Sequence, residues 1–306
     1  MKARFADAAK ALFEIPGGPR ADFRSPPGAP ALAAPDSVSW RVFKNPVSLF
    51  VGGVTAVLLE LAEPRVRTGV WEHSSFRTDP MGRLKRTGLA AMVTVYGARE
   101  TAEAMIAGVG RQHARVAGTT PGGAPYRADE VELLDWVQAT ASYGFLAAYH
   151  ALVQPLSPAE RDRFYAEAAP AARLYGALGA PASEAAWAAQ LAAMLPRLER
   201  SGIVFEFLDL MRGVRLAGPL SRLQHPLIRA AVALVPEEVR AVLGLGREWL
   251  PRPLEPPVIR AAAWIVDRTP IPGAPPYEAC LRLGLPGDWL YRRQRPEHGE
   301  PSRRML

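Results

Sequence analysis

The chain has 306 residues, about half of them apolar, and a formal net charge of +7, so it can bury a sizeable core and is not a disordered polymer. Its one cysteine, Cys280, excludes an internal disulfide framework and fits a reducing, cytoplasmic setting. The positive balance rests on scattered arginines, with lysine only at positions 2, 10, 44 and 85. They form no aromatic-interleaved stripe of the kind that tracks nucleic acid.

Taken in order, Met1-Lys2-Ala3-Arg4 is followed by no apolar run, and no secretory leader is expected. Residues 16–36 are rich in Pro, Gly and Ala without periodicity, and residues 1–39 are expected to form an irregular arm. The longest uncharged apolar stretch, Pro46 to Leu59, is too short to span a bilayer and contains Gly52-Gly53. Apolar residues at helical spacing predict helices near 46–62, 80–96, 99–117, 129–153, 158–176, 184–200, 203–217, 226–235, 237–243, 257–268 and 276–284. Asp79-Pro80 supplies a capping acid and a first-turn proline, and Ser157-Pro158-Ala159-Glu160 reads as a capping box. Gly97 and Gly118 are natural helix stops, while Pro170 and Pro196 should kink or divide their helices. Nothing alternates with period two, so no sheet is expected. The expectation is an all-α fold: a single globular helical domain over 40–290, followed by a basic tail over 291–306.

Familiar catalytic motifs are missing. There is no Gly-x-Gly-x-x-Gly, no glycine followed by lysine, and no Gly-x-Ser-x-Gly. None of His73, His113, His150, His225 and His298 has a glutamate three residues before it, which removes the di-iron helical pattern. No His-Glu-x-x-His zinc motif is present. Cys280 lies in Ala279-Cys280-Leu281, without a glycine-lined loop, and reads as a core thiol.

His113 remains. Ala102, Ile106, Val109, His113 and Val116 share one face of the predicted 99–117 helix. An imidazole there must satisfy its nitrogens with a hydrogen bond or a metal, and from this pattern alone both stay open. The preceding helix places Arg83, Arg86 and Thr87 at three- and four-residue steps, at the start of an apolar run from Gly88 to Val95. Such a face is either solvated or holds an anionic ligand by charge-assisted hydrogen bonds.

The run Glu72-His73-Ser74-Ser75-Phe76, then Asp79-Pro80, Arg83-Leu84-x-Arg86-Thr87 and His113-Ala114-Arg115-Val116-x-Gly118, resembles the MpaB-type oxygenases, which share a catalytic domain with the latex-clearing rubber oxygenases. Gly123-x-x-Tyr126-x-Ala128, Trp136-Val137-x-Ala139-Thr140 and Leu156-Ser157-x-x-Glu160-Arg161-Asp162 extend the likeness over about residues 40–180. It implies a helical fold around one b-type haem, with His113 as proximal iron ligand and Arg83, Arg86 and Thr87 in the haem pocket. It also implies dioxygen chemistry on an apolar substrate, with unsaturated or isoprenoid-like molecules as one option. A haem-binding sensor or carrier, or a cofactor-free helical interaction protein, is the alternative. Three positions depart from the family: Glu63-Pro64 stands where His-Pro is common, Gln138 where a histidine often follows Trp-Val, and Arg86 where rubber oxygenases carry lysine. A guanidinium is a poor iron ligand.

Overall fold

The computed structural model describes residues 21–214 and 218–292. The first twenty residues of the expected arm, and residues 293–306 of the expected tail, lie outside the described residues. Residues 21–37 hold turns and no regular element. Thirteen α-helices follow among the described residues. They are α1 Val38–Phe43, α2 Pro46–Glu60, α3 Pro64–His73, α4 Pro80–Tyr96 and α5 Arg99–His113, then α6 Val131–Leu152, α7 Pro158–Leu174, α8 Glu184–Met194, α9 Gly202–Gly213, α10 Gln224–Leu234, α11 Glu237–Leu243, α12 Glu255–Asp267 and α13 Pro275–Arg282. The fold is all-α, as the periodicity predicts.

Most of the expected helices start where their caps place them. Asn45 Oδ1 accepts from Val47 N and Ser48 N, Asp79 from Gly82 N, and Ser157 and Glu160 complete a reciprocal box. The core is built on α2 and α6, whose backbones nearly touch. A Cβ added at Gly144 would fall 2.4 Å from Gly52 O, and one at Gly52 would fall 2.7 Å from Gly144 O. Only paired glycines permit that approach. Thr55, buried in mid-α2, donates to Ala231 O of α10 at 3.0 Å, so its hydroxyl is satisfied where α10 packs.

The irregular arm is held by a buried cation. Arg282, 2% exposed, donates to Ala29 O at 2.9 Å, Phe23 O at 2.7 Å and Tyr96 O at 2.7 Å. Its planar fork therefore joins the arm to the carbonyl end of α4, where a helix leaves acceptors unpaired.

Several expectations need correction. The helix predicted to reach residue 117 stops at His113, and Gly118 is no helix stop. The chain turns there into a short antiparallel hairpin, β1 Ala117–Thr119 against β2 Pro125–Arg127. Gly118 lies opposite Tyr126, and a Cβ on it would meet the Tyr126 hydroxyl at 2.6 Å. The ring also lies 3.2 Å from the position a Cβ would take at Gly69 of α3. Tyr126 is thus a buried wedge between two glycines, and three-residue strands are too short to announce themselves by alternation. Helices α1 and α3 were not expected, because α1 is short and the basic residues of α3 blur its apolar face. Pro170 removes one backbone donor but α7 runs on through it to Leu174, while Pro196 falls in a 3₁₀ turn, Leu195–Arg197, after α8.

No single helix among the described residues is long and apolar enough to cross a membrane. Together α2 and α3 have the length and composition, but they bend by 114° at their junction.

Candidate functional site

Helix α4 begins beside the loop that follows α3, and that loop carries Phe76, buried and edge-to-face with Phe207 of α9 at 5.6 Å. Arg83 is half-buried and stacks its guanidinium over Phe76, 5.5 Å from the ring centroid. Its Nη1 donates to Thr87 Oγ1, and Thr87 Oγ1 donates to Arg83 O at 3.0 Å. Arg83 makes no ion pair with a carboxylate among the described residues. Burial lowers its pKa, although the guanidinium stays charged.

The three residues predicted to act together divide into two groups. Arg86 turns back toward the helix start, with Nη1 3.3 Å from Asp79 Oδ2 and Nη2 donating to Ser75 Oγ. It braces the α3–α4 loop, whereas Arg83 and Thr87 remain a coupled pair with an unneutralised charge.

Helix α5 brings His113 to the same region. Its apolar face thins toward the C-terminus: Ala102 and Ile106 are buried, whereas Val109 and His113 are half-buried. His113 closes the helix, so its ring sits at the edge of the core and not within a continuous stripe. Val116 belongs to the link into the hairpin. The imidazole has no hydrogen-bond partner among the described residues. Burial lowers its pKa, the Arg83 charge lowers it further, and Asp129 partly offsets this. The balance of these effects favours the neutral ring.

Glu60, the last residue of α2, was missed by sequence reasoning. It is half-buried, and burial pushes its carboxyl up to about 7, opposed by the nearby Arg83 charge. A signal was present, because Glu60 is the first charge after the apolar run from Pro46 and sits on a helix that must be buried. Glu60, Arg83 and His113 therefore form a chain of interacting groups drawn from α2, α4 and α5.

On the other side of the α3–α4 loop lies an open cleft of about 770 Å³, walled by Asp79, Pro80 and Met81 and by Asp209, Leu210 and Val214 of the α9 region. A smaller recess of about 530 Å³ adjoins it through Thr78 and Glu206. Neither is lined by His113 or Arg83; Phe76, in the loop that forms the recess, packs under the Arg83 guanidinium.

The remaining histidines do other work. His150 Nδ1 accepts from Leu156 N at 2.9 Å and fixes a turn, His73 and His225 are exposed, and His298 lies outside the described residues. Cys280 is buried and its thiol is pushed up to about 11, the behaviour of an inert core thiol. No group of three or more His, Cys, Asp or Glu among the described residues is arranged to hold a metal ion.

One edge of this helical domain thus brings together an imidazole without a hydrogen bond, a guanidinium without a carboxylate partner and a carboxyl whose pKa burial raises to about 7. The chain belongs to the family described as ER-bound oxygenase mpaB/B'/rubber oxygenase, catalytic domain, whose model matches residues 40–268. No curated protein and no solved structure matches the chain.

Proposed function

We propose that this oxygenase-family protein is haem-dependent, and that His113 would hold the iron of a b-type haem while Arg83 with Thr87 would hold its carboxylates. The observation that carries the reading is the pairing of an imidazole that is neutral and free of hydrogen bonds with a guanidinium that lacks a carboxylate partner. Iron takes a neutral imidazole, and a carboxylate would complete Arg83 with charge-assisted bonds. The donor chemistry of these residues therefore fits the group.

When bound, the haem supplies dioxygen activation. The chain's own residues do the rest. Burial, with the Arg83 charge beside it, favours the unprotonated imidazole, and Arg83 is itself held by Thr87 and the Phe76 ring. Glu60, poised near neutrality, can take or return a proton at its carboxylate. Arg86 braces the loop between Arg83 and the cleft, through which an apolar substrate, with unsaturated or isoprenoid-like molecules as one class, would approach along Met81, Leu210 and Val214.

A visible spectrum of the purified or haem-reconstituted protein tests the reading. A Soret band is expected for the wild type, and His113→Ala should lose it while circular dichroism stays helical. An unchanged band in the variant, or a wild type that takes up no haem, overturns the assignment. Oxidised product under air separates an oxygenase from a haem carrier.

A further inference from the structure

The described residues expose seven large hydrophobic side chains, and four of them lie on or next to a single helix. Leu254, immediately before α12, is 79% exposed, and Val258, Trp264 and Ile265 on the helix are about half exposed. Pro257 and Ala261 are exposed on the same side, at three- and four-residue steps from these. The opposite face, Ile259, Ala262, Ala263 and Val266, is buried against the core. The helix is therefore apolar on both faces, and the outer one meets nothing among the described residues that would cover it.

The charges on this element are sorted. Both of its acids turn inward and are neutralised: Glu255 pairs with Arg229, its Oε2 accepting from Nε at 2.8 Å, and Asp267 lies 3.2 Å from Lys44 Nζ. The charged residues left at the outer surface are Arg252, Arg260 and Arg268. Arg268 stacks on Trp264, 4.4 Å from the ring centroid, so the cation and the indole form one unit. Arg260 Nε reaches Ala151 O at 3.2 Å at the end of α6.

We propose that the outer face of α12 is a docking surface for an anionic lipid bilayer, lying in the plane of the headgroups. Apolar side chains would enter the acyl boundary, Trp264 would sit at the interface, and the three arginines would meet lipid phosphates and carboxylates. Charge decides against a second copy of the chain and against the C-terminal segment. A two-fold contact between copies would bring together two faces whose exposed charges are all arginines. Residues 293–306 contain four arginines and two glutamates, the same net sign as the face. An anionic membrane is complementary in both charge and hydrophobicity. The buried side of α12 packs at the Asn45 end of α2, remote from Glu60, so the outer face stands independently of the haem reading.

The experiment is sedimentation of the full chain with phosphatidylcholine vesicles, with and without phosphatidylserine, at about 0.15 M salt. Binding is expected with phosphatidylserine and should weaken without it. The double variant Trp264→Ser/Ile265→Ser should bind about tenfold more weakly or worse, because it removes inserted apolar surface. Arg260→Ala/Arg268→Ala should lower binding and flatten its salt dependence. All these side chains are exposed, so circular dichroism and haem content should match the wild type. Failure to bind anionic vesicles overturns the proposal, as does undiminished binding by the Trp264/Ile265 variant. A wild-type dimer in sedimentation velocity that this variant dissolves would assign the face to self-association and overturn it equally.

Discussion

At its N-terminal end α2 meets Lys44, Asn45 and Asp267; at its C-terminal end it meets Arg83 through Glu60. Both ends bring a cation and an acid partly out of water, some 20 Å apart along one helix. At the first, Lys44 Nζ donates to Asp267 O at 3.1 Å and Leu290 O at 3.0 Å and lies 3.2 Å from Asp267 Oδ2, and Asn45 Nδ2 donates to Ala263 O at 2.9 Å. Each polar group there has a partner, so burial locks α1, α2, α12 and the chain after α13 together. At the second, Arg83 and Glu60 influence each other without forming an ion pair, and His113 is left without a hydrogen bond. Satisfied buried charge specifies structure, whereas unsatisfied charge at a half-open edge is available to a ligand.

Breaking the satisfied end should have the largest effect on stability. Lys44→Met leaves Asp267 buried with its principal cation gone, and the loss should be about 3–5 kcal/mol in urea unfolding. Haem affinity of the molecules that remain folded should be unchanged, because the lock does not touch His113 or Arg83. A variant that folds normally but loses haem would contradict this separation of roles.

The unsatisfied end should respond in the opposite direction. The Glu60 carboxyl is raised from an ordinary 4.5 to about 7, so the folded state holds its proton more tightly than the unfolded one. Between these values the unfolded chain releases its proton first, and this group lowers stability as pH rises from about 4.5 through 7. Glu60→Gln removes that loss. The variant should be more stable than wild type by roughly 2 kcal/mol at pH 8 and nearly equal at about pH 4. Equal stabilities at both pH values would mean that Glu60 is solvated. If Glu60 also handles protons for the reaction, the same substitution lowers turnover and removes an inflection near neutrality from the rate profile.

Periodicity and caps made much of this fold legible. The helix over Pro80–Tyr96 and that over Glu237–Leu243 have the bounds that their proline, acid and glycine signals indicate. The hairpin after His113 was not legible, since its strands rest on Tyr126 wedged against Gly118 and Gly69, contacts made between segments far apart in sequence. The same limit applies to the site. Helical spacing could put Arg83, Arg86 and Thr87 on one face, but it could not tell that Asp79 and Ser75 would claim Arg86. Nor could it tell that the last turn of α2 would bring Glu60 to Arg83. Local pattern assigns faces; tertiary packing decides which charges stay unpaired.

That division of the two arginines gives the finest comparison. Arg83 is half-buried, lacks a carboxylate partner, and adds to the burial that lowers the pKa of His113. Arg86 already spends its guanidinium on Asp79, in an ion pair whose side chains are 40% and 52% exposed. A carboxylate bound by Arg83 would be held by a charge-assisted bond worth about 1.5–3 kcal/mol, so Arg83→Ala should weaken haem retention roughly tenfold or more. Arg86→Ala loses an exposed pair worth about 0.2–1 kcal/mol, and retention should fall by a factor of roughly two to five at most. Haem titration of the two variants side by side reads the difference. Equal and large losses would mean that Arg86 leaves Asp79 to join the ligand site, and the comparison between a bracing arginine and a binding one would collapse. If Arg83→Ala retains haem as well as wild type, Arg83 is a packing residue on Phe76 and the carboxylate role assigned to it is wrong.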